Sequence, residues 1–247
     1  MLPKNERIIN IETGPDLDKP IYRVYNYDRL VALFKSGNNT LVKPALWDDP
    51  LENFILKTAS AVFKKHPEYD LDARDRFYGQ CWSLLKESDA MWRIYSPDKK
   101  GVKVKTTIRK LFNSLEKSVK ARYGFSFIGK VKYLSGEQLK KKLQNKDWLH
   151  SEVRSYKDQA TSLLFKRSEF LHEHEVRLLF YDHNSKPSDE IFQYKIDPTE
   201  LFSEIQFDPR ITETAYKKLH AFFRNKMGYT KTISQSKLYQ VPQLSFL

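Results

Sequence analysis

The chain has 247 residues, 40% of them hydrophobic and 14% aromatic, which is enough to bury a large core. No apolar run approaches the roughly 20 residues of a membrane span, and the N-terminal Met-Leu-Pro-Lys-Asn-Glu-Arg lacks the apolar core of a secretory signal. With Cys81 the one cysteine, no internal disulfide can form, and cytoplasm is the expected compartment.

Residues 1–20 carry Gly14, Pro15 and Pro20 among polar side chains and read as an irregular arm, ahead of a single catalytic domain over residues 21–247. Residues 21–25 read as a strand and residues 26–37 as a helix with Asn26 as polar cap and Gly37 as stop. A short strand follows over 40–43. Asp49, Pro50 and Glu52 have the spacing of a helix start, and that helix is expected to run to about Lys65. Residues 77–85 read as a strand, and Asp89 as the cap of a short helix holding Met91, Trp92 and Tyr95. Residues 101–106 alternate apolar and basic as a half-buried strand does, and residues 106–122 form an amphipathic helix through Ile108, Leu111, Phe112, Leu115 and Val119. A strand near 125–133, a capped helix from Ser135 and a helical stretch over 148–165 come next. Strands at 176–181 and 191–196 are expected to form a hairpin across the polar turn 183–188. Asp197-Pro198 and Asp208-Pro209 read as helix starts, the second leading to Gly228, and a last strand covers 230–238. This order of elements predicts an α+β fold, with a mixed, largely antiparallel sheet core and peripheral helices.

Glu173, Glu175 and Arg177 run into the apolar strand Val176, Leu178, Phe180. On an extended strand they share the face opposite those core residues, placing acid and base side by side. Read alone, such a face is more often solvated than functional. Arg23 lies on the first strand and Ser83 on the strand ending near Leu85. An arginine fork suits a diphosphate, a serine can orient a ribose, and a carboxylate can stabilise an oxocarbenium-like centre. His150, His172 and His174 lack metal-ligand spacing, and no phosphate-cradling Gly-rich loop is present.

Arg on a first strand, an aromatic-Ser strand and Glu-x-Glu entering a late strand resemble the Arg–Ser–Glu arrangement of ADP-ribosyltransferases. The resemblance implies NAD as cosubstrate, with Arg23 on its phosphates, Ser83 at the nicotinamide ribose, Glu175 as catalytic glutamate and Glu173 activating the acceptor. Tyr95 or Tyr78 would stack on nicotinamide. Cys81-Trp82-Ser83 supplies one hydroxyl where that family has Ser-Thr-Ser. Trp47-Asp-Asp-Pro-Leu-Glu52, Cys81-Trp-Ser, Met91-Trp-Arg-Ile-Tyr95, Gly101-Val-Lys-Val, the Glu-x-Glu-Val-Arg segment and Ser236-Lys-Leu-Tyr239 also resemble an uncharacterised bacterial family found beside phage-defence genes. That implies a toxin or effector with an antitoxin partner.

The formal net charge of +12 points to a nucleic-acid acceptor, with RNA favoured over DNA. Two basic blocks carry it: Lys99, Lys100, Lys103, Lys105, Arg109 and Lys110, then Lys140, Lys141, Lys142 and Lys146. Tyr123, Phe125, Phe127, Tyr133 and Trp148 lie among them, a pattern suited to tracking a backbone and stacking bases. Two rival readings remain: a metal-dependent nuclease built from Asp48, Asp49, Glu173 and Glu175, and a noncatalytic nucleic-acid-binding module in which only the basic blocks matter.

Overall fold

The structure is a computed structural model that describes residues 4–12, 14–47, 49, 54–63 and 75–240. Its first half contains β1 (Ile8–Ile9), β2 (Pro20–Asn26), α1 (Tyr27–Ser36), β3 (Asn38–Val42), α2 (Phe54–Val62), β4 (Phe77–Ser83), α3 (Asp89–Tyr95), β5 (Gly101–Thr107) and α4 (Ile108–Val119). There follow β6 (Gly124–Lys130), β7 (Lys132–Leu134), α5 (Gly136–Gln144), α6 (Lys146–Ser151), α7 (Tyr156–Ser162), β8 (Phe165–Arg167) and β9 (Glu175–Asp182). The chain continues through β10 (Ile191–Lys195), α8 (Pro198–Leu201), β11 (Glu204–Phe207), α9 (Glu213–Asn225) and β12 (Thr232–Gln235).

The architecture is α+β. One mixed sheet runs β1-β6-β9-β4-β2-β5-β11-β12, with β3 pairing β4 and β10, while β7 and β8 form a separate parallel pair. Within the large sheet β1–β6 and β11–β12 are parallel and the other pairs antiparallel. Helices cover both faces. Val176, Leu178 and Phe180 of β9 enter one core with residues of α1, α4 and α9, and Leu179 and Tyr181 enter a second core with residues of α2, α5, α6 and α7. All eight residues of β9 are buried, as expected for a central strand covered on both sides.

The sheet is weakly stitched at its centre. Seven residue pairs join β4 to β9 and seven join β2 to β5, but Tyr22↔Ser83 is the one pair joining β2 to β4. Beyond it the strands part, and the Arg23 guanidinium donates to the Cys81 carbonyl at 2.7 Å where a ladder bond would otherwise stand. A crevice therefore opens between two half-sheets.

Local signals explain many boundaries. Asn26 caps α1 by accepting from the Asp28 N–H at 2.9 Å. Gly37 ends that helix at φ 65°, where a Cβ would also come within 2.9 Å of the Ile196 carbonyl oxygen. Several expectations are corrected. β9 and β10 form no hairpin: β9 pairs with β4 and β6, β10 with β3. The helical stretch over 148–165 is broken into α6, α7 and the start of β8. Ser88, not Asp89, caps α3. α9 starts at the Thr212 cap, while Asp208 is buried and accepts from Ser96 and Arg210. The N-terminal arm is not wholly irregular, since Ile8 and Ile9 pair with β6. Asp48, Pro50 and Glu52 lie outside the described residues.

Candidate active site

The crevice forms a cleft of about 420 Å³ lined by Tyr22, Arg23 and Val24 of β2, Cys81, Trp82 and Ser83 of β4, Met91 and Tyr95 of α3, and Glu173 and Glu175. The topology thus brings Arg23, Ser83, Glu173, Glu175 and Tyr95 together from across 153 residue positions. Tyr78, expected to stack on the ligand, is elsewhere: its ring is buried against Phe192 and its hydroxyl meets Ser185 Oγ at 2.6 Å. On β4 it lies five residues from Ser83, toward the far end of the strand.

Glu175 is the first residue of β9, opposite Ser83. Glu173 is not on the strand. It ends a 3-10 helix over Ser168–Glu173, and His174 turns the chain through a left-handed conformation at φ 44°. Both carboxylates are 5% exposed, so the expected solvated face is instead the buried polar start of the face that Leu179 and Tyr181 continue into the second core. The side chains of His172 and His174 are on exposed residues outside this pair.

Burial demands compensation of charge. Lys166 of β8 lies between the carboxylates, donating to Glu173 Oε2 and, at 3.0 Å, to Glu175 Oε1. Arg177, fully buried, engages Glu175 Oε2 through Nε at 2.8 Å and through its second nitrogen at 2.7 Å. Its remaining fork donates to the Leu163 carbonyl at 2.7 Å, and its plane lies 4.5 Å from the Trp47 ring centre. The Tyr95 hydroxyl donates to Glu173 Oε1 at 3.0 Å, and the Glu175 N–H donates to the Tyr133 hydroxyl at 2.9 Å. Ser83 Oγ donates to the Glu173 carbonyl at 2.7 Å and accepts from the Leu85 N–H at 3.0 Å, so it fixes the turn carrying the acid pair.

These contacts separate the two acids. Burial, then the hydrogen bond to and repulsion by Glu175, push Glu173 up to about 7. Burial also opposes ionisation of Glu175, but the Arg177 guanidinium and the Lys166 ammonium outweigh it and hold the carboxyl down to about 2. Although Lys166 touches both, the guanidinium is on Glu175 alone, so the shared proton resides on Glu173. Burial, then the Glu173 carboxylate, raises the Tyr95 phenol above its usual range, keeping it a neutral donor. Near neutral pH the site holds a fixed carboxylate beside one that gains and loses a proton, a division suited to charge stabilisation and proton transfer.

Arg177 was legible as a neighbour of Glu175 by strand alternation. Lys166 was not: the three residues of β8 carry no periodicity, and the contact spans a turn that only the fold defines. Among the described residues, which exclude Asp48, the metal-nuclease set is not assembled. Both oxygens of Asp49 engage Arg167, at 3.2 and 3.0 Å, and Glu173 and Glu175 are already met by Lys166 and Arg177.

A second groove, of about 1490 Å³, adjoins the cleft and shares Arg23, Val24 and Tyr95 with it. Its walls include Asn26 of β2, Arg29 of α1, Asn38, Asn39 and Thr40 of β3, Gln80 of β4 and Gln193 of β10. Arg23 therefore stands where the acid-lined cleft passes into a longer, amide-rich groove.

The model of a family described as Protein of unknown function (DUF2971) matches residues 91–178, a span that includes Tyr95, Lys166, Glu173, Glu175 and Arg177. No curated protein matches the chain. Among solved structures, it is similar to DarT of Thermus sp. 2.9 in complex with ADP-ribosylated ssDNA, with 12% identity over 92% of this chain and 98% of that chain and a TM-score of 0.40. The same protein in complex with NAD+ aligns over 91% of this chain and 98% of that chain, again at 12% identity and a TM-score of 0.40.

Proposed function

We propose that the chain is an ADP-ribosyltransferase that splits NAD at the nicotinamide glycosidic bond and passes ADP-ribose to a nucleic acid. The observation that carries this reading is the place of Arg23, between a cleft holding the acid pair and a groove large enough for the other half of a dinucleotide. The nicotinamide ribose lies over Glu175, the diphosphate meets Arg23, and the adenosine extends along Asn38, Asn39 and Gln193.

Nicotinamide leaves with the electron pair of the broken C1′–N bond and becomes neutral, while positive charge develops on the ribose beside Glu175. An acceptor O–H or N–H bonds to C1′, and its proton passes to Glu173. Lys166 and Arg177 fix Glu175 before the reaction, so little reorganisation is required of it. Tyr95, 41% exposed at the cleft mouth, offers its ring for stacking on the nicotinamide and a hydroxyl to Glu173.

The test is incorporation of labelled ADP-ribose into purified RNA, single-stranded DNA and protein, with nicotinamide release measured in parallel. Glu175→Gln is expected to lower transfer by roughly a thousandfold, comparable with removing a preorganised electrostatic group. Undiminished transfer in that variant removes the assignment. The toxin reading adds that induced expression arrests growth with Glu175 and not with Gln at that position, and that a cognate protein relieves the arrest.

A further inference from the structure

We propose that the phosphodiester backbone of a single-stranded nucleic-acid acceptor is held in a lysine-lined notch formed by Lys86, Lys103 and Lys105. This rests on the transferase reading and assigns its acceptor site. Two small recesses meet at Tyr22, Lys86 and Lys103, and one of them shares Tyr22, Arg23, Val24, Ser83 and Met91 with the cleft. The recesses follow one another along β2: the notch at Tyr22, the cleft at Arg23 and Val24, the amide groove at Tyr25 and Asn26. With the groove end taken by the adenosine half of the cosubstrate, the notch is the second approach to Glu173.

The chemistry of the notch is that of a phosphate site. Lys103 and Lys105 alternate with Val102 and Val104 on β5, placing both ammonium stems on the Tyr22 side of the sheet, where Tyr22 pairs with Lys105 and Val24 with Lys103. Lys103 is buried, lies 5.6 Å from the Tyr22 ring centre and donates to the Lys86 carbonyl, so it fixes the turn that presents Lys86. The Lys86 ammonium is exposed and makes no ion pair among the described residues. Of the two nearby acids, Glu87 is occupied by Trp92 Nε1 at 2.5 Å, Lys103 at 3.3 Å and Ser236 Oγ at 3.0 Å. Glu204 meets Lys105 loosely at 3.8 Å. Three ammoniums against two carboxylates leave net positive charge beside a narrow entrance. Arg109, of the same basic block, is turned away into an ion pair with Asp18. A duplex would have to unstack to bring an acceptor atom to the buried acids, which favours a single strand.

The test uses the full chain with Lys86→Gln and Lys105→Gln combined, fluorescent single-stranded DNA and RNA oligonucleotides, and NAD. Oligonucleotide transfer is expected to fall at least about tenfold, and the slope of log Kd against log salt by about 1.4, the loss of two single-strand phosphate contacts. Lys86→Arg with Lys105→Arg keeps binding, and nicotinamide release without oligonucleotide stays at its wild-type rate. An unchanged affinity and salt slope overturns the notch, as does a fall in nicotinamide release matching the fall in transfer, which would assign the lysines to NAD. Labelling of protein with oligonucleotides unlabelled overturns it too. Lysine-dependent oligonucleotide binding by a wild-type chain that releases no nicotinamide would instead remove the transferase reading and leave the notch standing.

Discussion

Replacing Lys166 with Met removes a cation shared by Glu173 and Glu175 while keeping the length of the stem. In the wild type both carboxylates, 5% exposed, are balanced by Lys166 and Arg177. Breaking a buried ion pair by removing one partner costs about 3–5 kcal/mol, because the remaining charge is left uncompensated. For a chain of 247 residues, at roughly 2–4 °C per kcal/mol, the melting temperature should fall by about 6–20 °C at pH 8. The loss should also depend on pH. Glu173 has a folded value of about 7 against an ordinary 4.5, so the folded state binds its proton more tightly and wild-type stability declines as pH rises from about 4.5 to about 7. Without the ammonium that value rises further. The variant then holds its proton where the wild type has released it, and the deficit grows above pH 7 by up to about 1.4 kcal/mol per pH unit. Thermal melts of both proteins at pH 6 and pH 9 measure this, and Lys166→Met combined with Glu173→Gln should recover much of the loss and flatten its pH dependence. Equal melting of variant and wild type at pH 9, or a deficit identical at both pH values, refutes the coupling of the acids through Lys166.

Glu175 has the opposite sign: its contribution is present above about 4.5 and is lost as pH falls toward about 2, so acid melts should show Glu175→Gln losing its difference from wild type in that window. Because the variant leaves Arg177 buried without its counter-ion, its melting temperature should be lower at neutral pH, and transfer must be compared well below that temperature. Transfer should rise with pH through about 7 as Glu173 ionises, taking the four-residue cluster with Lys166, Glu175 and Arg177 from one net positive charge to none. Glu173→Gln should abolish that limb in a pH–rate profile, and an unaltered limb excludes Glu173 as the proton acceptor. Arg23→Lys loses the planar fork and should raise the Michaelis constant for NAD about 10–100-fold with a smaller change in kcat, while wild-type affinity would exclude Arg23 from the diphosphate site. His174→Val should cost about 1–2 kcal/mol and His174→Gly should be tolerated, since only the left-handed turn is at stake at an exposed position; indistinguishable melts for Val and wild type remove that explanation.

Several local elements were legible in the residues. Asn26 and Gly37 delimit α1, the alternation of Val102 and Val104 with Lys103 and Lys105 marks β5, and the period of Ile108, Leu111, Phe112 and Leu115 marks α4. These depend on caps, turns and side-chain periodicity within a few residues, which act before any tertiary contact. Strand pairing was not legible. β9 is buried on both faces although Glu175 and Arg177 open one of them, so periodicity identifies neither its partners nor what covers it, and a hairpin with the next strand was the natural local choice.

The candidate site divides in the same way. The sequence by itself determined the chemical groups: the arginine of β2, the serine of β4, two acids and an arginine entering β9, and a large excess of positive charge. Only the tertiary structure decided that β2 and β4 touch at one pair and then part, that Arg23 stands between a cleft and a groove, and that Tyr78 is packed against Phe192 away from the cleft. It also placed Lys166 between Glu173 and Glu175, turning a pair expected on an open strand face into a buried, charge-balanced cluster. The physical reason is range. Side-chain identity fixes what a group can do, whereas its protonation and its partners depend on burial and on charges brought from distant parts of the chain.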